Sequence, residues 1–205
     1  MSEFDSRAQD WDKNQIFIKR SEAIATELLN RITFTNNKMT ALEYGAGTGL
    51  LSFILKDRFA EILMMDNSSE MVKVTESKIA SSGSLNMKAM FIDLEKEDYQ
   101  GSFDIVFNQM VLHHVNNIDL IISKFHALIK PGGYLAIADL YEEDGSFHGE
   151  GFNGHKGFNS EMLTQLLKKH AFNNIVIKPC YVLKRENEKG EIKEFPIFLL
   201  TANRI

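Results

Sequence analysis

Through the first two thirds of the chain, apolar runs of strand length alternate with longer stretches in which apolar residues return every three or four positions. That alternation predicts βαβ units on a parallel sheet. From about Asp12 to Ile32, the residues Ile16, Ile24, Leu28 and Leu29 fall at helical spacing and predict an N-terminal amphipathic helix. "TALEYG" follows as a first strand, then a glycine loop, then "LLSFILKDRF" as a helix opening on the last glycine. "EILMMD" is a second strand, and "SSEMVKVTESKIASSG" a helix capped by Ser68 or Ser69 and stopped by Gly83. A third strand, "KAMFID", ends at Asp93, and a fourth, "FDIVFN", at Asn108. The helix within "NIDLIISKFHALIK" is expected to stop at "PGG", ahead of a fifth strand, "YLAIADL".

After this strand the pattern changes. "YEEDGSFHGEGFNGHKGF", residues 141–158, is a glycine-rich, polar and aromatic connection of a length that is uncommon unless functional. A helix, "NSEMLTQLLKKHAF", precedes two final strands, "NIVIKPCYVLKRE" and "EFPIFLLTAN", which the charged turn "ENEKGE" makes antiparallel neighbours. No internal repeat, low-complexity stretch or linker interrupts the 205 residues, so a single domain is expected.

Composition narrows the partners. A formal net charge of -5 gives no basic footprint for a phosphate backbone, which disfavours nucleic acid. No apolar run approaches the roughly 20 residues of a membrane helix, and "MSEFDSRAQDWDK" is too polar for a secretory signal. One cysteine, Cys180, cannot form an internal disulfide, and the nine methionines suit a reducing compartment. A cytoplasmic protein is expected, with no membrane association.

The loop in "LEYGAGTGLL" places Gly45, Gly47 and Gly49 as G-x-G-x-G, unlike the G-x-G-x-x-G that cradles a dinucleotide pyrophosphate. A strand, such a loop and a helix in succession direct backbone N–H groups to the carboxyl edge of the sheet, where open α/β sheets bind ligands. A glycine triplet alone also fits a tight turn with no ligand. The neighbours decide: Glu43 on an otherwise apolar strand, Asp66 closing the second, Asp93 the third and Asn108 the fourth put polar groups at one edge of the sheet.

Through "LEYGAGTG", "MMDNSSEM", "FIDLE", "FDIVFNQMVLHHV" and "LIKPGGYLAIADL", the chain resembles class I S-adenosylmethionine-dependent methyltransferases of the small-molecule type. The resemblance implies a Rossmann-like α/β fold: a seven-stranded, mostly parallel sheet with an antiparallel last strand inserted beside the fifth, and helices on both faces. It implies S-adenosyl-L-methionine as cofactor. Gly45, Ala46 and Gly47 would then face its methionine part, Glu43 its ammonium directly or through water, and Asp66 its ribose hydroxyls. Asn67 and Met71 would flank the adenine, Asp93 and the Leu94 N–H would meet its edge, and the Asn108 carbonyl would help hold the amino group. The domain would comprise residues 1–205, with 1–35 as an N-terminal helical cap and 141–158 as a substrate lid.

Methyl transfer from a sulfonium is an in-line displacement in which the protein chiefly supplies position and electrostatics. A base helps when the nucleophile is a hydroxyl or a protonated amine. Candidate catalytic residues are His113 and His114 after the fourth strand and His155 in the long loop, with His148 as a second loop histidine. Phe147, Phe152 and Phe158 could close over an apolar or planar substrate, and Phe4 and Trp11 could gate the cofactor. No metal is expected, because His148 and His155 in a glycine-rich loop, even with Asp139, make no compact ligand pattern. The expected partner is a small-molecule methyl acceptor, with the chain a monomer or homodimer. Competing readings are methylation of a protein, a non-catalytic cofactor-binding scaffold, and a nicotinamide-dependent oxidoreductase, the last weakened by the glycine spacing.

Overall fold

The structure is a computed structural model that describes residues 4–34, 38–186 and 190–205. Seven strands, β1 (Thr40–Tyr44), β2 (Glu61–Asp66), β3 (Met87–Phe91), β4 (Phe103–Gln109), β5 (Ile129–Leu140), β6 (Phe172–Glu186) and β7 (Ile192–Arg204), form one sheet in the order β3-β2-β1-β4-β5-β7-β6. β1 to β5 pair in parallel, and β7 lies antiparallel between β5 and β6. This is the predicted sheet, last strand included. The order reverses between β1 and β4, and loops leaving their carboxyl ends diverge there to open a crevice.

Among the described residues, five α-helices, α1 (Gln15–Arg31), α2 (Leu50–Leu55), α3 (Ser69–Ser82), α4 (Ile118–Leu128) and α5 (Ser160–Lys169), cover the sheet. One buried cluster joins Ile24, Leu28 and Leu51 to Ile105 and Leu199. The other joins Leu42, Val106 and Leu135 to Ile121, Phe125 and Leu163. With a core on each face, the central strands are buried on both sides, hence their nearly unbroken apolar runs.

Element ends differ from the sequence reading in ways that local chemistry explains. The N-terminal helix divides at Asn14, whose side chain accepts from Ile16 N–H at 2.9 Å and caps α1; a 3₁₀ helix, Asp5–Lys13, precedes it. α2 is shorter than expected and continues as a 3₁₀ turn, Lys56–Arg58. α4 stops at Leu128 rather than at "PGG", and Pro131, Gly132 and Gly133 ride on β5, where the pairing with β4 shifts register between Phe103 and Ile105. β3 ends at Phe91 because Asp93 turns the chain: its carboxylate accepts from Glu95 N–H at 3.0 Å and its carbonyl from Lys96 and Glu97. Ser68 caps α3 as predicted, accepting from Met71 N–H, and Gly83 ends it. Residues 187–189 of the expected charged turn lie outside the described residues. Among the described residues, no helix is long and apolar enough to cross a membrane.

Candidate functional site

A cavity of about 360 Å³ opens at the carboxyl ends of β1, β2 and β4. The glycine loop forms one wall. Ala46 N–H bonds the Met65 carbonyl at 2.9 Å, Gly47 N–H bonds Asp66 Oδ2 at 2.7 Å, and Thr75 Oγ1 donates to the Gly47 carbonyl at 2.8 Å, so β2 and α3 fix the loop. Gly45 is obligatory: its φ is +64°, and an added Cβ would lie 2.5 Å from the Val111 side chain. Asp66 Oδ1 accepts from Ser68 N–H at 2.8 Å. Burial raises the Asp66 carboxyl, while the N–H groups of Ser68 and Gly47 pull it back down.

Gly45, Ala46, Gly47, Asp66, Asn67, Met71 and Asp93 all line this cavity. Asp93 also pairs with Lys96 at 2.8 Å. Three expected cofactor residues stand behind the wall instead. Glu43 is fully buried: Oε2 accepts from Ser52 N–H at 3.2 Å and from Ser52 Oγ, Oε1 has no hydrogen-bond partner, and the side chain does not reach the cavity. Desolvation pushes its carboxyl up to about 8, and with its side chain behind the wall it makes no direct contact with the cavity. Asn108 is buried with both amide atoms unpaired, and Leu94 is buried with its carbonyl on Lys124 Nζ at 2.6 Å. The next residues along the chain, Gln109 and Glu95, line the cavity in their stead.

The N-terminal 3₁₀ helix roofs the cavity. Asp12 accepts from Thr48 Oγ1 and Lys78 Nζ, each at 2.5 Å, and Ser68 Oγ donates to Asp5 at 2.6 Å, fastening the roof to the glycine loop and to the start of α3. Trp11 packs on Phe17 with ring centroids 4.6 Å apart, and Phe4 meets His114 edge-on at 5.2 Å. Beneath lies Arg20, 6% exposed, with its ring contact to Phe17, an unpartnered Nε and no carboxylate partner among the described residues. Burial lowers its guanidinium to about 10, still protonated at neutral pH.

The far end of the cavity is a histidine cluster. β4 ends in a turn with Met110 at φ +54°, a left-handed conformation for a non-glycine residue, and a 3₁₀ helix, Leu112–His114, follows. His113 is buried, with Nδ1 2.6 Å from Asp139 Oδ1 on β5. The Asp139 carboxylate also accepts from the N–H groups of His113 at 3.2 Å and Leu140 at 2.7 Å. Acting only as an acceptor, it fixes the proton on Nδ1 and leaves Nε2 with the lone pair. Burial and the neighbouring histidines lower His114 to about 3 and His148 to about 4, keeping both rings neutral.

The loop 141–158 folds inward so that Phe147 lines the cavity and packs edge-on against Phe195, while His148, stacked on Phe152 at 3.8 Å, meets the rings of His113 and His114 without itself lining the cavity. Gly154 permits this: a Cβ there would meet the His113 carbonyl at 2.3 Å. His155 is turned away. Its N–H bonds the His113 carbonyl at 2.8 Å and its Nε2 sits 3.0 Å from the Val115 carbonyl, so the residue expected to reach the substrate holds the loop in place and does not line the cavity.

Sequence reasoning missed Arg20, Gln109 and the Arg7 and Arg185 side chains, all of which line the cavity. Arg20 was findable: it precedes Ile24 and Leu28 by four and eight residues, a charge within the apolar stripe of α1. Arg185, whose guanidinium lies 3.8 Å over the Phe147 ring and donates to the Phe147 carbonyl, carries no such signal, because β6 reaches the site only through the sheet order.

Residues 35–192 match a protein family described as a methyltransferase domain. An uncharacterized methyltransferase of Schizosaccharomyces pombe is 29% identical over 153 residues, covering 66% of this chain and 54% of its own length, so the chain spans about half of that relative. In fold, the chain is similar to a SAM-dependent methyltransferase from Aquifex aeolicus (TM-score 0.69, 18% identity, 98% of each chain). It is also similar to phosphoethanolamine N-methyltransferase 2 of Haemonchus contortus in complex with S-adenosyl-L-methionine (TM-score 0.71, 15% identity, all of this chain and 60% of that one).

Proposed function

This chain belongs to the methyltransferase domain family, and from that premise we propose that it is an S-adenosylmethionine-dependent methyltransferase that methylates a small-molecule acceptor held at the histidine end of the cavity. The observation that carries the reading is the roof: pinned through Asp5 and Asp12, it partly covers a cavity of about 360 Å³ that must also hold the donor, which suits a metabolite better than a chain segment of a folded protein.

The residues present fit the cofactor. Asp66 has lone pairs left for the ribose hydroxyls, Met71 and Ile92 offer apolar surface for the adenine beside Asp93, and the backbone of Gly45 to Gly47 would face the methionyl chain. Arg20, a protonated guanidinium without a carboxylate, is the group we assign to the cofactor's own carboxylate, a partner that would offset the cost of its burial. When bound, the cofactor supplies an electrophilic methyl group on a positively charged sulfur.

The chain's own contribution is alignment, exclusion of water and handling of a proton. Good alignment of two reactants is worth roughly 7 to 11 kcal/mol in the best cases. Phe4, Trp11 and Phe147 line the cavity with apolar surface that would limit water around a bound substrate. His113, oriented by Asp139, leaves Nε2 for an acceptor that must lose a proton or carry developing negative charge, a role open to it only while no metal ion takes that nitrogen. Incubation with methyl-labelled S-adenosylmethionine and a cell extract tests the reading: label should appear in the low-molecular-mass fraction, and label confined to protein would contradict it.

A further inference from the structure

We propose that His113 and His114, which line the acceptor end of the cavity, form with His148 a binding site for one divalent transition-metal ion of the zinc type. The three side chains each offer a ring nitrogen, and these atoms lie within 4.8 Å of one another. Ring centroids are 4.2 Å apart for His113 and His114, 5.1 Å for His113 and His148, and 5.2 Å for His114 and His148. A tetrahedral zinc ion with Zn–N bonds of about 2.0–2.1 Å holds its nitrogens about 3.3 Å apart. Closing the widest gap therefore takes a movement of about 1.5 Å on that geometry, within reach of the His148 torsions on a loop whose next turn contains Gly149 and Gly151.

Three features distinguish this trio from histidines merely packed together. Asp139 accepts the Nδ1 proton of His113, the carboxylate–histidine arrangement that orients an imidazole toward a metal and raises its basicity. All three rings sit among aromatic side chains, Phe4, Phe147 and Phe152, which bound the ligand nitrogens with apolar surface. Finally, no cysteine or further carboxylate joins the trio among the described residues, so a fourth coordination position is left for solvent or for the acceptor. The sequence spacing hid this site because the partner of the adjacent pair is His148, brought 34 residues along the chain by the loop, and not His155.

Its catalytic use rests on the methyl-transfer reading, whereas metal binding itself does not. A hydroxyl of the acceptor in the fourth position would lose its proton to solvent more readily, and its oxygen would then form the new bond to the methyl carbon as the sulfur–carbon bond breaks and sulfur keeps the electron pair.

The test is titration of the tag-free, chelator-treated full chain with Co²⁺, followed by its visible absorption bands, and with Zn²⁺ in competition with a chromogenic chelator. One ion per chain is expected. His148→Ala should weaken binding at least tenfold with the fold intact by circular dichroism, Asp139→Asn should weaken it by about 10- to 100-fold, and His155→Ala should leave it unchanged. Absence of a stoichiometric cobalt spectrum, or equal affinity in His148→Ala and the wild type, would overturn the proposal. S-Adenosylhomocysteine titrated into the same samples separates the two readings: donor binding without metal binding removes only the metal site, and metal binding without donor binding removes only the methyl-transfer assignment.

Discussion

Apart from Arg20 on α1, the donor end of the cavity is assembled from β1, β2, β3 and the loops that leave them, within residues 44–95, whereas the acceptor end gathers His113, Asp139, His148 and Arg185 from separate elements. The first is held by backbone: Ala46 on Met65, and Gly47 and Ser68 on Asp66. The second is held by side chains from separate elements, joined by a roof and a loop. A ligand common to many enzymes is thus met by local, repeatable geometry, and the one that differs by parts that can change independently.

That contrast is exposed first at His113. His113→Ala should lower turnover by about 10² to 10⁴-fold, the usual worth of a proton-handling group, while S-adenosylhomocysteine affinity stays within about threefold, well under the loss of one charged hydrogen bond. A parallel loss of donor affinity would show that the two ends are not separable. Arg20→Met is the smaller, complementary probe. It should weaken donor binding roughly tenfold or more, as expected for loss of a charge-assisted bond, yet leave the melting temperature of the free protein unchanged or higher, since a buried charge whose desolvation Asp139 offsets only in part is removed.

Glu43 sharpens the comparison from beneath the loop. Its folded-state carboxyl titrates near 8 against an ordinary 4.5, so between those pH values the folded chain holds a proton that the unfolded chain has released. Stability from this group therefore falls as pH rises through that window, by at most about 1.4 kcal/mol per pH unit. Glu43→Gln, which imitates the protonated form, should flatten the pH dependence of the melting temperature from pH 5 to 8; an unaltered slope would mean the carboxyl is not buried as described. The smallest effect is reserved for His155→Ala. With its ring on the Val115 carbonyl, it should cost about 1 kcal/mol of stability and change turnover less than threefold under saturating donor, as measured by S-adenosylhomocysteine release; a loss as large as that of His113→Ala would return it to the chemistry.

Legibility followed the same division. The alternation of strands and helices predicted the sheet, and G-x-G-x-G with Asp66 and Asp93 marked the donor wall, because these features act over a few residues. The misplaced residues fail for a local reason: Glu43 shares β1 with the loop but points beneath it to Ser52, and a strand's two faces cannot be told apart when both are buried. The histidine pairing failed for a distant one. Only the folded loop decides that His148 meets His113 and His114 while His155 turns to Val115, and only the parallel pairing of β4 with β5 puts Asp139 beside His113.

The most direct test of the central claim is parallel calorimetric titration of wild-type protein and Asp66→Ala with S-adenosylhomocysteine. One site per wild-type chain, and affinity lower by roughly 10²-fold in the variant from the loss of two charged hydrogen bonds, is the predicted result. Equal affinity in the two proteins, or no binding to the wild type, would contradict the assignment of the β1–β2 end of the cavity to the methyl donor.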